Sequence, residues 1–172
     1  MTKPALDSAA PDQILGDAFR LAMRNVASAV YLITAAGSEG DVGMTATAAC
    51  SLSFDPFSVL ICVNRSASMF RTLDETGRFV LNVLSADDVA IASAFGSPAG
   101  RDNRFGQGEW YRIDDMPALR SSLASIACRV ADTKDFGTHR IFVGQVEQVD
   151  NREGLAELLY CQGGFRELAP AA

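Results

Sequence analysis

Asp41-Val42-Gly43-Met44-Thr45-Ala46-Thr47-Ala48-Ala49-Cys50-Ser51-Leu52-Ser53-Phe54-Asp55-Pro56 carries almost no bulk at its centre: from Gly43 to Ser51 only Met44 is large. Strands usually fill the face of a sheet with β-branched or aromatic side chains. A run of Gly, Ala, Thr and Ser leaves that face low. Backbone N–H groups and short hydroxyls then stay within reach of whatever lies against it. Composition alone is compatible with two outcomes: a central strand closely approached by another layer, or a shelf for a flat, acceptor-rich ligand.

The flanking sequence predicts strands on both sides. Ala29 to Ala36 reads as a buried strand, Gly37 to Asp41 as a turn, and the small-residue stretch as the return arm of a hairpin. After Asp55-Pro56, the run Ser58-Val59-Leu60-Ile61-Cys62-Val63 is apolar on both faces. Phe79 to Leu84, Ser122 to Val130, Arg140 to Val149 and Leu158 to Cys161 supply further strands. Helical spacing appears from Ile14 to Val26, from the Ser66/Ser68 region to Gly77, and from Ala86 to Phe95 behind a Ser85 cap. Gly96 to Gly108 is a long irregular loop holding Arg101, Arg104 and Phe105. Six or seven strands with two or three helices and no βαβ repeat predict an antiparallel barrel. Residues 1–13 read as a tail and residues 14–172 as one domain.

Composition excludes several function classes. A net charge of −6 opposes general nucleic-acid binding. Cys50, Cys62, Cys128 and Cys161 are scattered, and no metal-ligand spacing occurs. There is no apolar signal core at the start and no window long enough to span a membrane, so the expected compartment is the cytoplasm. The chain has no Gly-x-Ser-x-Gly elbow, no G-x-G-x-x-G and no P-loop.

What remains is a constellation around the small-residue strand. An isoalloxazine ring is the kind of flat object that its shelf would fit. Asn64-Arg65-Ser66-Ala67-Ser68 follows an apolar strand and opens a helix. Four of those five residues can contact a phosphate, and a helix N-terminus favours one. The alternative there is an ordinary cap beside a surface arginine. His139, the one histidine, stands after Gly137-Thr138 at a strand entrance. Arg101 and Arg104 are either solvated loop charges or phosphate ligands, and Phe105 and Trp110 either packing or stacking residues.

Taken in order, Phe19 to Arg24, Gly43 to Ala48, Ser51 to Pro56, Val63 to Ser68, Phe79 to Leu84, Arg104-Phe105 and Gly137 to His139 resemble the flavin reductase family that supplies two-component flavin-dependent monooxygenases, such as the reductase partner of 4-hydroxyphenylacetate 3-monooxygenase. The resemblance covers roughly residues 15–168. It implies a mainly β fold, a Greek-key split β-barrel with a few flanking helices, usually homodimeric. FMN or FAD would be the flavin and NADH or NADPH the hydride donor. It further implies that Met44, Thr45, Ala46 and Thr47 border the ring with Ser51 nearby. Asn64, Arg65, Ser66 and Ser68 would hold the ribityl phosphate, Arg104 and Phe105 would contribute to binding, and His139 would place the nicotinamide. No metal is implied, and reduced flavin would pass to a partner monooxygenase. The pattern departs at Phe165, where many relatives carry a tyrosine. A flavin-holding carrier of the same barrel is the rival from another class, and a pyridoxamine-phosphate-type oxidase would need more cationic phosphate ligands than these.

Overall fold

Two hairpins set the frame. β2 (Tyr31–Gly37) returns as β3 (Gly40–Ala46), and β4 (Ala49–Phe54) returns as β5 (Phe57–Asn64). The computed structural model describes residues 11–97 and 101–168. With β6 (Arg78–Val83), β9 (Ala124–Phe136) and β10 (His139–Asn151), these strands form one antiparallel sheet in the order β3-β2-β6-β9-β10-β5-β4.

The two edge strands, β3 and β4, are consecutive in the chain and separated only by Thr47-Ala48. The sheet therefore curls until its edges meet end to end at that two-residue joint, and the Cys62 amide, donating to the Ala48 carbonyl at 2.9 Å, extends the β4–β5 ladder to it. No ladder joins β3 to β4 among the described residues. The result is a split barrel, not a closed one. The long β9–β10 pair bends at register shifts beside Gly144 and Gln148. A Cβ on Gly144 would fall 2.5 Å from Cζ of Phe79, so glycine lets that buried ring cross the bend.

Ile33, Ile61, Val63, Phe79, Leu81 and Phe142 fill the barrel, and α2 (Ser68–Thr76) closes one mouth with Met69 and Leu73. α3 (Val89–Gly96) follows a 3-10 turn capped by Ser85 and Asp88, and packs Ile91, Ala92 and Phe95 on the outside. A small sheet of β1 (Ser28–Ala29), β11 (Leu158–Cys161) and β12 (Gly164–Glu167) lies beside it. The hairpin β7 (Trp110–Ile113) and β8 (Met116–Leu119) covers a third apolar cluster with Val80 and Ala127.

α1 (Pro11–Arg24) is different in kind. Nearly every described side chain on it is exposed. Among the described residues no helix is long and apolar enough to cross a membrane.

The expected strands are present, with differences at the margins. The first helix starts at Pro11, inside the stretch read as a tail; the rest of that tail, residues 1–10, lies outside the described residues. The small-residue run is two strands, broken where the chain passes from one sheet edge to the other. β7–β8 and β12 were not foreseen. Pro117 inside β8 argues against a strand on sequence grounds, yet it sits in a two-stranded hairpin where its missing N–H costs nothing.

One buried amide ties these layers together. Asn82 Nδ2 donates to Leu32 O at 3.0 Å and to Thr34 Oγ1 at 3.2 Å. Its Oδ1 accepts from Leu119 N at 2.9 Å and Ser125 Oγ at 3.0 Å. Every hydrogen-bonding valence is used, in a position with no exposure. Asn82→Leu leaves several buried partners unmatched and is expected to cost about 3 kcal/mol or more, read as a lowered urea midpoint.

Candidate functional site

β3 serves two layers at once. Val42, Met44 and Ala46 pack toward the barrel interior, while Gly43 and Thr45 face α3. A Cβ on Gly43 would stand 2.9 Å from Cε1 of Phe95 and 3.2 Å from the Ile33 carbonyl, so the helix can lie this close only against glycine. Thr45 Oγ1 donates to the Ala92 carbonyl at 2.8 Å and locks the approach. That bond uses the threonine's only hydroxyl proton, which leaves Thr45 able to accept but not to donate further.

Where β3 runs past the end of α3, a cleft of about 430 Å³ opens. Thr45, Ala46 and Thr47 form its floor, Ala92 and Gly96 one side, and the Gly163-Gly164 turn the other. The turn is tight: Gln162 and Gly163 both have positive φ, 53° and 78°. Tyr160 and Phe165 stand edge to face across it at 5.5 Å. Phe165, the position that departs from the expected tyrosine, packs against the apolar cluster under α3 and offers the cleft a ring face without a hydroxyl.

A second group gathers at the ends of β5 and β10. Asn64 Oδ1 accepts from both the amide and the hydroxyl of Ser66, each at 2.9 Å. This side-chain turn replaces the serine cap expected for α2, whose N-cap is Ala67 with no side-chain bond. Arg65 binds back to the β9–β10 turn: its amide donates to Thr138 O at 3.0 Å and its Nη2 to Gly137 O at 2.7 Å. His139 pairs with Asn64 in the ladder, is exposed, and meets Thr138 Oγ1 through Nδ1 at 2.9 Å. The Asp135 carboxyl is held below its usual range, chiefly by hydrogen bonds from Arg140, with Arg65 adding to the effect. The Arg140 guanidinium is raised in turn.

The remaining expected residues lie elsewhere. The Met44 side chain belongs to the barrel core. Ser51 borders an outer apolar groove with Phe54, Phe57 and Val149. Ser68 and Phe105 line a small pocket of about 80 Å³ beside Gly43, and Phe105 packs on Phe95 and Trp110 at 5.1 and 4.8 Å. Arg104 is buried, donates to the Ser97 carbonyl and lies 5.7 Å over the Phe95 ring. The Arg101 side chain is outside the described residues. Thus Thr45, Ala46 and Thr47 share a cleft, Asn64 to Ser66 and His139 share a knot, and the lining of that cleft includes none of the knot's residues.

Sequence reasoning did not find the α3 wall or the Gln162–Phe165 turn. The Gln-Gly-Gly string was a turn signal, but nothing local shows which strand it would face. Near the joint, burial pushes the Tyr31 hydroxyl and the Cys62 thiol up, with Cys50 adding to both. In the core, burial pushes the Cys128 thiol to about 12.

The comparisons agree with this architecture. Residues 23–169 match the model of the flavin reductase like domain, and the chain belongs to that family. It is 37% identical over 169 residues to the reductase component of the FADH(2)-dependent resorcinol hydroxylase of Rhizobium sp. (strain MTP-10005), covering 96% of this chain and 94% of that one. It is 37% identical to the FMN reductase (NADH) RutF of Methylorubrum populi over 172 residues, 99% of this chain and 84% of the relative. The solved structure of the NADH:FAD oxidoreductase SgcE6 from Streptomyces globisporus C-1027 superposes with a TM-score of 0.84 at 28% identity, over 97% of this chain and 100% of that one.

Gly43→Ala forces Phe95 or the β3 backbone to shift and is expected to cost about 1–3 kcal/mol. Pairing it with Phe95→Leu should recover part of that loss in the urea midpoint if the ring contact is the cause.

Proposed function

We propose that this chain is an NAD(P)H-dependent flavin reductase that passes reduced FMN or FAD to a partner monooxygenase. The observation that carries the reading is the cleft of about 430 Å³ over Thr45, Ala46 and Thr47, bordered by the small residues Ala92, Gly96, Gly163 and Gly164 and by the rings of Tyr160 and Phe165. That volume lies within the range of small-molecule and cofactor sites. Small walls and hydroxyl-bearing rims suit a planar tricycle, so the residues present fit a flavin.

Thr47 is exposed at the floor and would donate its hydroxyl to the polar edge of the ring, while Thr45 would only accept. Negative charge that builds on that edge during reduction would be stabilised by such donors. Asn64, Arg65, Ser66 and Ser68 would hold the phosphate tail. Arg65 keeps further N–H donors beyond its bond to Gly137. When Thr138 donates to Nδ1 of His139, the imidazole proton sits on Nε2, facing solvent and free to orient a nicotinamide carboxamide. The bound flavin supplies the hydride acceptor, so the protein needs no general base of its own.

The cleft and the knot lie apart in one chain, and two apolar surfaces are left bare. Phe54 is 80% and Leu15 70% exposed. Both features support a homodimer in which the subunits complete the site together. Four unpaired cysteines suit the reducing cytoplasm.

The deciding assay mixes the protein with NADH and excess FMN or FAD in air and follows nicotinamide oxidation. Many turnovers per chain are expected; a stoichiometric response or none identifies a carrier. Thr47→Phe should abolish flavin binding with an unchanged circular dichroism spectrum, because Thr47 is exposed on the cleft floor, and retained affinity would remove the cleft from the site. Sedimentation equilibrium should give a dimer for the wild type and a lighter species for Phe54→Ser with Phe57→Ser.

A further inference from the structure

Arg140 stands where three elements meet. It is directly opposite Asp135 in the β9–β10 ladder and Val63 in the β10–β5 ladder. Its Nε donates to Asp135 Oδ1 at 2.6 Å and its Nη2 to Oδ2 at 3.0 Å, so both carboxylate oxygens are held. Its Nη1 donates to Asp74 of α2 at 2.5 Å, and the guanidinium lies 5.0 Å over the Phe70 ring of the same helix. Each nitrogen of the group thus has an acceptor, in a side chain only 21% exposed.

Asp135 also faces Arg65. Arg65 Nη1 lies 3.9 Å from Asp135 Oδ2, near enough to feel the charge but beyond hydrogen-bonding distance. Arg65 is turned instead by its Nη2 onto the Gly137 carbonyl at 2.7 Å. Its Nε and Nη1 make no hydrogen bond among the described residues, so they are open to an anion. Asp135 and a phosphate beside Asn64, Ser66 and Ser68 would compete for that guanidinium. A carboxylate whose charge is already met by one arginine pulls less on a second.

We infer that Arg140 is a positioning residue for flavin binding: by holding Asp135 it keeps Arg65 open to the flavin phosphate. The assignment rests on Arg65 gripping that phosphate, as proposed above. It makes Asp135 a built-in rival of the phosphate and Arg140 the group that restrains it. Arg140 also joins α2 to the β9–β10 hairpin, so a bracing role is the alternative. The two roles differ in sign at Asp135. A brace is lost when either partner is removed, whereas removing a rival does not weaken the grip.

FMN and riboflavin, which differ only by the phosphate, are the probes. Flavin-fluorescence titration of the full chain gives the preference for FMN as a ratio of dissociation constants. Arg140→Gln should lower that preference about fivefold with riboflavin affinity unchanged. Arg140→Lys, which keeps the charge without the fork, should fall between. Asp135→Asn alone should bind FMN at least as tightly as the wild type, and added to Arg140→Gln it should restore the preference. An unchanged preference in Arg140→Gln, equal losses for both flavins, or weaker FMN binding by Asp135→Asn overturns the proposal. Asp135 is exposed, so Asp135→Asn gives the sign even where Arg140→Gln does not fold, which circular dichroism reports. Arg65→Gln separates the two levels. If it keeps the wild-type preference, the phosphate grip is rejected and the role of Arg140 with it. If it abolishes the preference while Arg140→Gln does not lower it, the role of Arg140 alone falls.

Discussion

The closeness of α3 to β3 is the constraint from which the rest follows. A helix can lie on a strand this tightly only where the strand has no side chain to interpose, and Gly43 under the Phe95 ring meets that condition. Thr45 then spends its proton on the Ala92 carbonyl. With the helix fixed there, the same strand must cover the barrel core with Val42, Met44 and Ala46 on its other face. One strand thus separates a packed interior from an open cleft, and small residues are what allow it to border both.

The barrel's closure is related to that economy. Because β3 and β4 are the two edges of the sheet and also neighbours in sequence, the Thr47-Ala48 joint between edges also places Thr47 on the floor of the cleft. Asn82 does the corresponding job on the far side, where a single amide links β2, β6, β8 and β9 through four hydrogen bonds. Rigidity around the cleft is therefore supplied by polar contacts as much as by apolar packing.

Much of this was legible in the sequence because its signals are local. Alternating apolar runs marked most of the strands of the main sheet, and the small-residue stretch marked the cleft floor. What escaped depends on contacts distant in sequence. The Gln162–Phe165 turn reaches the cleft only because β11 pairs with β1, and β1 is two residues long. Arg104 reads as a loop cation, yet the 3-10 segment Arg101–Gly106 tucks it under Phe95. β8 was hidden by Pro117, whose position in an isolated hairpin removes the usual objection to proline in a strand. Met44 shows the same limit at smaller scale, since the motif does not say which face a side chain takes.

The attachment of α1 carries a consequence for any assembly. The helix is held to the body chiefly through the Arg24 carbonyl, by the amide of Gln162 and the thiol of Cys161. Those two donors belong to the turn that borders the ring cleft. Whatever grips the outer face of that helix must also stiffen the turn, and a guest that stiffens the turn must favour the grip. In the proposed homodimer, subunit pairing and cofactor uptake would then be thermodynamically linked, each raising the affinity of the other by one shared factor.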